Sequence, residues 1–267
     1  MLNPEQIEDA ANRLHAAEKA HEQMRALSLS WPEMDMDDAY AIQARWMELK
    51  KQEGRKVYGY KIGLTSRAMQ QAMNISTPDY GVLLDDMVFA NGGEITAGHF
   101  TDPRIEVEFA FVLKESLFGE DVSLDQVMEA TDYVVPSLEL IAARSFRTDP
   151  ETGYTRKVFD TIADNAGNAG IIVSDERIKP ADLDLRWSGA ILYLNGVVEE
   201  TGLGAGVMDH PAHGIRWVCK RFAPHGIALE PGQVILSGSF TRPIPVKAGD
   251  QVRADYGPLG EINVNFV

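Results

Sequence analysis

The sequence predicts an α+β fold, with a mixed β-roll or barrel-like core over residues 56–267 and a small helical cap over residues 1–55. Three observations predict it. The first fifty residues carry apolar residues at helical spacing. At least eight short, strand-like runs follow. Few helices interrupt those runs, which favours a rolled mixed sheet over a doubly wound one.

The cap reads as two helices. Residues 4–27 begin with Pro4, suited to a first turn, and place Ile7, Ala10, Ala11, Leu14, Ala17 and Ala20 on one stripe. Residues 37–52 place Ala41, Ile42, Arg45, Trp46 and Leu49 on another, and Gly54 ends that helix. Residues 57–63, with Gly59 and Gly63, then read as a strand with close-approach glycines. Ser66 is placed to cap a short helix running to Met73. Further strands are predicted over 106–113, 133–142, 169–173, 190–194, 197–199, 234–237, 251–254 and 261–266. Asn195-Gly196 is a type I′ hairpin signal between two of them. Helices are predicted over 123–130 and 210–223, and the glycine-rich stretch 202–206 reads as a flexible loop.

Composition narrows the function. The chain has 267 residues and a formal net charge of −15. Such a charge repels nucleic acid and anionic membranes, so neither is an expected partner. An anionic substrate then needs a local cation, whether Lys, Arg or a metal ion. Cys219 is the only cysteine, which excludes an intramolecular disulfide and reads as a buried structural thiol. The N-terminal residues lack the basic and apolar regions of a signal peptide, and a cytoplasmic location is the expectation.

The chemistry concentrates in two predicted strands. In Arg104-Ile105-Glu106-Val107-Glu108-Phe109-Ala110-Phe111, side-chain alternation puts Ile105, Val107, Phe109 and Phe111 on one face. Glu106 and Glu108 share the other with Ala110 and Val112. Like charges so close repel, and burial worsens the repulsion. Either that end of the face is open to water, as on any solvated strand, or a cation lies between the carboxylates. Glu139 is the single acidic residue in the otherwise apolar run 133–142. Three inward carboxylates would make a hard, oxygen-only site for Mg²⁺, or alternatively Mn²⁺, rather than Zn²⁺. Whether the two strands are neighbours is not encoded locally.

At these residues the chain resembles the hydratase and decarboxylase branch of the fumarylacetoacetate hydrolase superfamily. The resemblance rests on Pro103 to Glu108, Ser137-Leu138-Glu139, Ala163-Asp164-Asn165 and Leu236 to Thr241, together with Tyr60 to Thr65 and Pro78 to Gly81. It covers essentially the whole chain. It implies a β-roll with a divalent cation on Glu106, Glu108 and Glu139, and Lys61 and Asp79 as catalytic groups beside it. It also implies a homo-oligomer, dimeric or pentamer-based. The implied activity is a hydro-lyase of aromatic (homoprotocatechuate) catabolism that adds water to 2-oxohept-3-enedioate, a small anionic 2-oxo acid. A 2-hydroxypentadienoate hydratase or a 4-oxalocrotonate-type decarboxylase is the alternative.

Other residues follow from that implication. Asp164 and Asn165 are assigned to substrate binding, with a helix-end polar pair as the plainer option. Arg147, Arg156 and Lys157, with Arg242, are candidates for a distal carboxylate, since Arg suits bidentate carboxylate binding. The stretch 144–157 is a candidate lid. The family's hydrolases carry a His–Glu pair in a short helix; His99 lies in a glycine-rich loop instead, which weakens a hydrolase reading. His210 and His213 read as a helix start rather than a metal pair.

Overall fold

The computed structural model describes residues 1–72 and 75–267. Helix α1 (Pro4–Ala20) opens with a capping box in which Asn3 and Gln6 exchange side-chain and backbone hydrogen bonds. It ends before residue 27 because His21 turns left-handed and Gln23 and Met24 bond instead to the carbonyls of residues 143–145. A single turn, α2 (Leu27–Ser30), follows. Helix α3 (Met36–Gln52) has its own capping box, Asp35 with Asp38. Its buried face includes Ala39, Ile42, Gln43 and Trp46; Arg45 lies off that stripe and pairs with Glu8.

Strand β1 (Val57–Gly63), helix α4 (Arg67–Ala72), and strands β2 (Asp79–Leu84), β3 (Val88–Phe89) and β4 (Glu94–Ile95) come next. Met73, the predicted end of the short helix, lies outside the described residues. Then follow β5 (Arg104–Leu113), α5 (Leu124–Ala130), β6 (Thr131–Ile141), α6 (Val158–Ala163) and β7 (Asn168–Val173). The chain closes with β8 (Gly189–Leu194), β9 (Val197–Leu203), α7 (Ala212–Phe222), β10 (Val234–Leu236), β11 (Ile244–Pro245), β12 (Gln251–Asp255) and β13 (Glu261–Phe266). Asn195 and Gly196 both take positive φ between β8 and β9, as a type I′ turn requires. Gly202-Leu203 ends β9 and Gly204–Gly206 forms a 3₁₀ turn, so this stretch is ordered structure rather than the expected flexible loop.

Two sheets make the core. The larger has strand order β2-β1-β10-β5-β6-β7-β3, with β11 added beside β5; the smaller runs β4-β13-β12-β8-β9. Ile105, Val107, Phe109 and Phe111 of β5 join one apolar cluster with Leu192, Val252, Ile262 and Val264 of the smaller sheet. The opposite face of the larger sheet curls around a second, small cluster of Leu83, Ala110, Val135, Ile171, Val234 and Leu236. The cap helices form a third cluster with Leu84, Met87 and Ile162. Among the described residues, no helix is long and apolar enough to cross a membrane.

Candidate functional site

Strand register assembles the site. β5 and β6 are antiparallel neighbours with Glu106 directly opposite Glu139 and Glu108 opposite Ser137. Residues paired across strands share a face, so three carboxylates meet on the concave side of the large sheet. The Tyr256 hydroxyl pins the two strands there, lying 2.8 Å from the Glu108 carbonyl and 2.6 Å from that of Ser137. Lys61 arrives on β1, in register with Leu236 of β10, which pairs with Ala110 of β5. Asp79 opens β2 opposite Gly63. Gly63 is required, since a Cβ there would stand 2.2 Å from Asp79 Oδ1.

The carboxylates of Glu106, Glu108 and Glu139 each offer an oxygen within 4.8 Å of the others. Glu108 and Glu139 are buried, while Glu106 is partly open to a cavity. The Gly238 amide donates to Glu108 Oε2 at 2.9 Å, made possible by the positive φ of Gly238. Glu108 Oε1 and both Glu139 oxygens have no hydrogen-bond donor among the described residues. Lys61 Nζ stands 3.3 Å from Glu139 Oε1, an ion-pair contact without hydrogen-bond alignment.

Burial, reinforced by the Glu139 charge, pushes the Glu106 carboxyl up to about 8 and holds Glu108 well above the usual range. Burial also raises Glu139 and Asp79, opposed in both by Lys61. Desolvation alone would depress Lys61. The opposing charges of Glu139, Asp79, Glu106 and Glu108 outweigh it, and Lys61 is held above its ordinary range. One buried ammonium faces four carboxyl groups, more than it can balance once they ionise. Orphaned, convergent carboxylate oxygens with no nitrogen or sulfur donor fit a hard divalent cation.

The site opens into a cavity of about 930 Å³ lined by Lys61, Asp79, Glu106 and Glu108. Arg147, Arg156, Lys157 and Arg242 line the same cavity. Asp164 and Asn165 do not. The Asp164 carboxylate accepts from the Arg144 backbone (2.8 Å) and Nε (2.5 Å), and the Asn165 side chain bonds both backbone groups of Val82. Both stand in the wall behind the cavity, as a helix-end pair. The stretch 144–157 is braced internally by the Thr148–Thr155 bridge and tied to the cap by the Met24–Ser145 bridge and Arg25–Asp149, which argues against a free lid.

Thr65, Thr161, Phe240 and Glu200 also line the cavity, and the sequence does not single them out. Thr65 and Phe240 lie within the motifs that carry the family resemblance; Glu200 and Thr161 carry no local signal. His99 stacks on His21 with ring centroids 5.0 Å apart, beside a separate cavity of about 190 Å³. Among the described residues, neither His210 nor His213 belongs to a cluster able to hold a metal. Cys219 is buried in α7, which raises its thiol to about 12 and leaves it unreactive.

Comparison with known proteins places this geometry. A family model described as fumarylacetoacetate (FAA) hydrolase C-terminal matches residues 52–267. The chain is 56% identical over 257 residues to 2-oxo-hept-4-ene-1,7-dioate hydratase of Escherichia coli, covering 96% of each protein. It is 34% identical over 265 residues to 2-keto-4-pentenoate hydratase of Paraburkholderia xenovorans, covering 99% of this chain and 96% of that one. Among solved structures, 4-oxalocrotonate decarboxylase from Pseudomonas putida G7, complexed with magnesium and adipate, superposes with a TM-score of 0.94 at 31% identity, covering 100% of this chain and 99% of that one. The chain belongs to the fumarylacetoacetate hydrolase family.

Proposed function

We propose that this protein is a Mg²⁺-dependent hydratase that converts 2-hydroxyhepta-2,4-dienedioate, through 2-oxohept-3-enedioate, into 4-hydroxy-2-oxoheptanedioate. The observation that carries the reading is the convergence of Glu106, Glu108 and Glu139 on one cavity-facing point, with orphaned oxygens. Those residues would hold the cation, with Mn²⁺ as a substitute. The 56% identity to a hydratase named for a seven-carbon diacid supports the substrate class. The 3-ene and 4-ene keto acids are the C5- and C3-protonated forms of one dienol, so the two names describe one substrate.

When bound, the cation supplies a Lewis acid for the 2-oxo acid end. The protein does the rest. Lys61 stays protonated among its carboxylates and sets a positive charge against the anionic end of the substrate. Asp79, buried and with Oδ1 lacking a partner, takes the proton from the 2-hydroxyl and returns it at C5. Water then adds across C3–C4, its hydroxyl to C4 and its proton to C3. Lys61 and Asp79, both lining the cavity, are the groups proposed to relay that proton.

A cytoplasmic homo-oligomer belongs to the same reading. Trp187, Val197, Val198 and Leu203 are exposed at or near the β9 edge of the smaller sheet, a surface suited to a second copy. The residue 1–55 cap and 56–267 catalytic unit are likewise proposed as the functional division. The test is incubation with 2-hydroxyhepta-2,4-dienedioate and Mg²⁺, with an EDTA control, followed by product mass. Gain of one water that EDTA abolishes is the expected result. Loss of carbon dioxide would reassign the site to decarboxylation.

A further inference from the structure

The cavity that holds the carboxylates also carries four cations, and they are not equivalent. Arg147 donates through Nε to Asp102, and Arg242 pairs with Glu200. Lys157 Nζ donates to the Pro32 carbonyl at 2.9 Å. Arg156 has no such partner. Its side chain is 6% exposed, and its contacts are long: 3.3 Å to the Ser145 carbonyl, 3.4 Å to Ser145 Oγ and 3.8 Å to Asp164 Oδ2.

Asp164 is already committed to Arg144, whose remaining donors reach the carbonyls of Asp164 and Asn168. Two buried guanidiniums therefore share one buried carboxylate, in a chain whose net charge is −15. Arg156 is left with only a long, shared ion pair to Asp164 at the cavity wall, because the other nearby acid, Asp160, accepts from Ser28 and the Lys157 amide. Burial lowers Arg156 to about 10, only partly offset by Asp164, which reports the same imbalance. A buried charge of this kind is costly until an anion meets it. A second, independent feature lines the same cavity. Thr161 Oγ1, on α6, is buried and has no hydrogen-bond partner among the described residues. A guanidinium fork and a hydroxyl on one cavity wall are a donor set for a carboxylate.

We infer that Arg156, assisted by Thr161, receives the second carboxylate of a dicarboxylic substrate and sets the preference for diacids over monoacids. The inference rests on the proposed hydratase function for the identity of that substrate, but its test does not require turnover. The Mg²⁺-loaded protein is titrated calorimetrically with adipate and, separately, with hexanoate, a diacid and a monoacid of equal length.

The wild type is expected to bind adipate at least about tenfold more tightly, the scale of a charge-assisted pair. Arg156→Gln is expected to erase that preference while leaving hexanoate within about twofold, and Thr161→Val to reduce it about threefold. An adipate preference that Arg156→Gln leaves unchanged, or no preference in the wild type, overturns the inference. If Arg156→Gln does not fold, Thr161→Val decides by the same criterion. A protein that prefers adipate through Arg156 yet hydrates no dienoate would sink the hydratase reading and leave this one standing. One that hydrates dienoates without the preference would do the reverse.

Discussion

The concave face of the large sheet has two ends built on the same strands. At one end Ala110, Val135 and Leu236 pack with Leu83 and Ile171 into a small dry core. At the other, two residues along β5, Glu108 begins a cluster of carboxylates. Backbone geometry is continuous between them, so the contrast is chemical. The apolar end stabilises the fold by burial. The charged end opposes folding, because Glu106, Glu108, Glu139 and Asp79 are all desolvated beside a single lysine. A fold that keeps such an end keeps it for what it binds.

The largest expected effect comes from neutralising the charged end. Glu139→Gln should lower kcat/KM by about a thousandfold or more, equivalent to about 4 kcal/mol of transition-state stabilisation. The same variant should melt no lower than wild type when both are metal-free, since it removes a buried like charge. Steady-state kinetics and thermal melts with EDTA check the pair of outcomes. Leu236→Ala at the dry end should behave in the opposite sense. It should cost about 2–5 kcal/mol of stability in denaturant titration, with a much smaller change in kcat at a temperature where the protein stays folded.

Proton linkage gives a smaller effect. Glu106 is raised from 4.5 to about 8 in the folded protein, so the native state binds a proton that the unfolded chain has lost. Stability from this group is present below pH 4.5 and lost as pH rises through about 8. Glu108 and Glu139 are shifted in the same direction. Metal-free protein should therefore lose thermal stability between those pH values. Mg²⁺ should restore it most at the alkaline end, where the ligands shed protons most easily. A metal-free melting temperature that rises over this window would contradict the account. The smallest effect is expected at His213, which packs beside Arg216 and His210 away from the carboxylates. His213→Ala should leave activity and Mg²⁺ affinity within about twofold.

Much of this contrast is legible in the sequence. Alternation in β5 separates Ile105, Val107, Phe109 and Phe111 from Glu106 and Glu108, because a strand has only two faces. Glu139 stands out as an acid in an apolar run. Its position opposite Glu106 does not, since register between two strands joined by a long connection is a tertiary property. The same reason hides β2, whose Asp79 reads locally as a turn residue and becomes a strand residue only because β1 supplies a partner. Helix α6 escapes sequence reasoning because six residues give too little periodicity, and its burial of Ile162 and Ala163 against the cap decides its form. Asp164 draws attention as a polar residue in a motif, but nothing local reveals that Arg144 claims it.

The most direct test of the charged end as a metal centre is Mn²⁺ titration followed by the electron paramagnetic resonance of free Mn²⁺, on metal-free wild type and Glu139→Gln, with circular dichroism to confirm both are folded. One site per chain in the wild type, displaced by Mg²⁺ and lost or weakened at least about a hundredfold in the variant, is the predicted result. Equal binding by the two folded proteins, or none by the wild type, would contradict it.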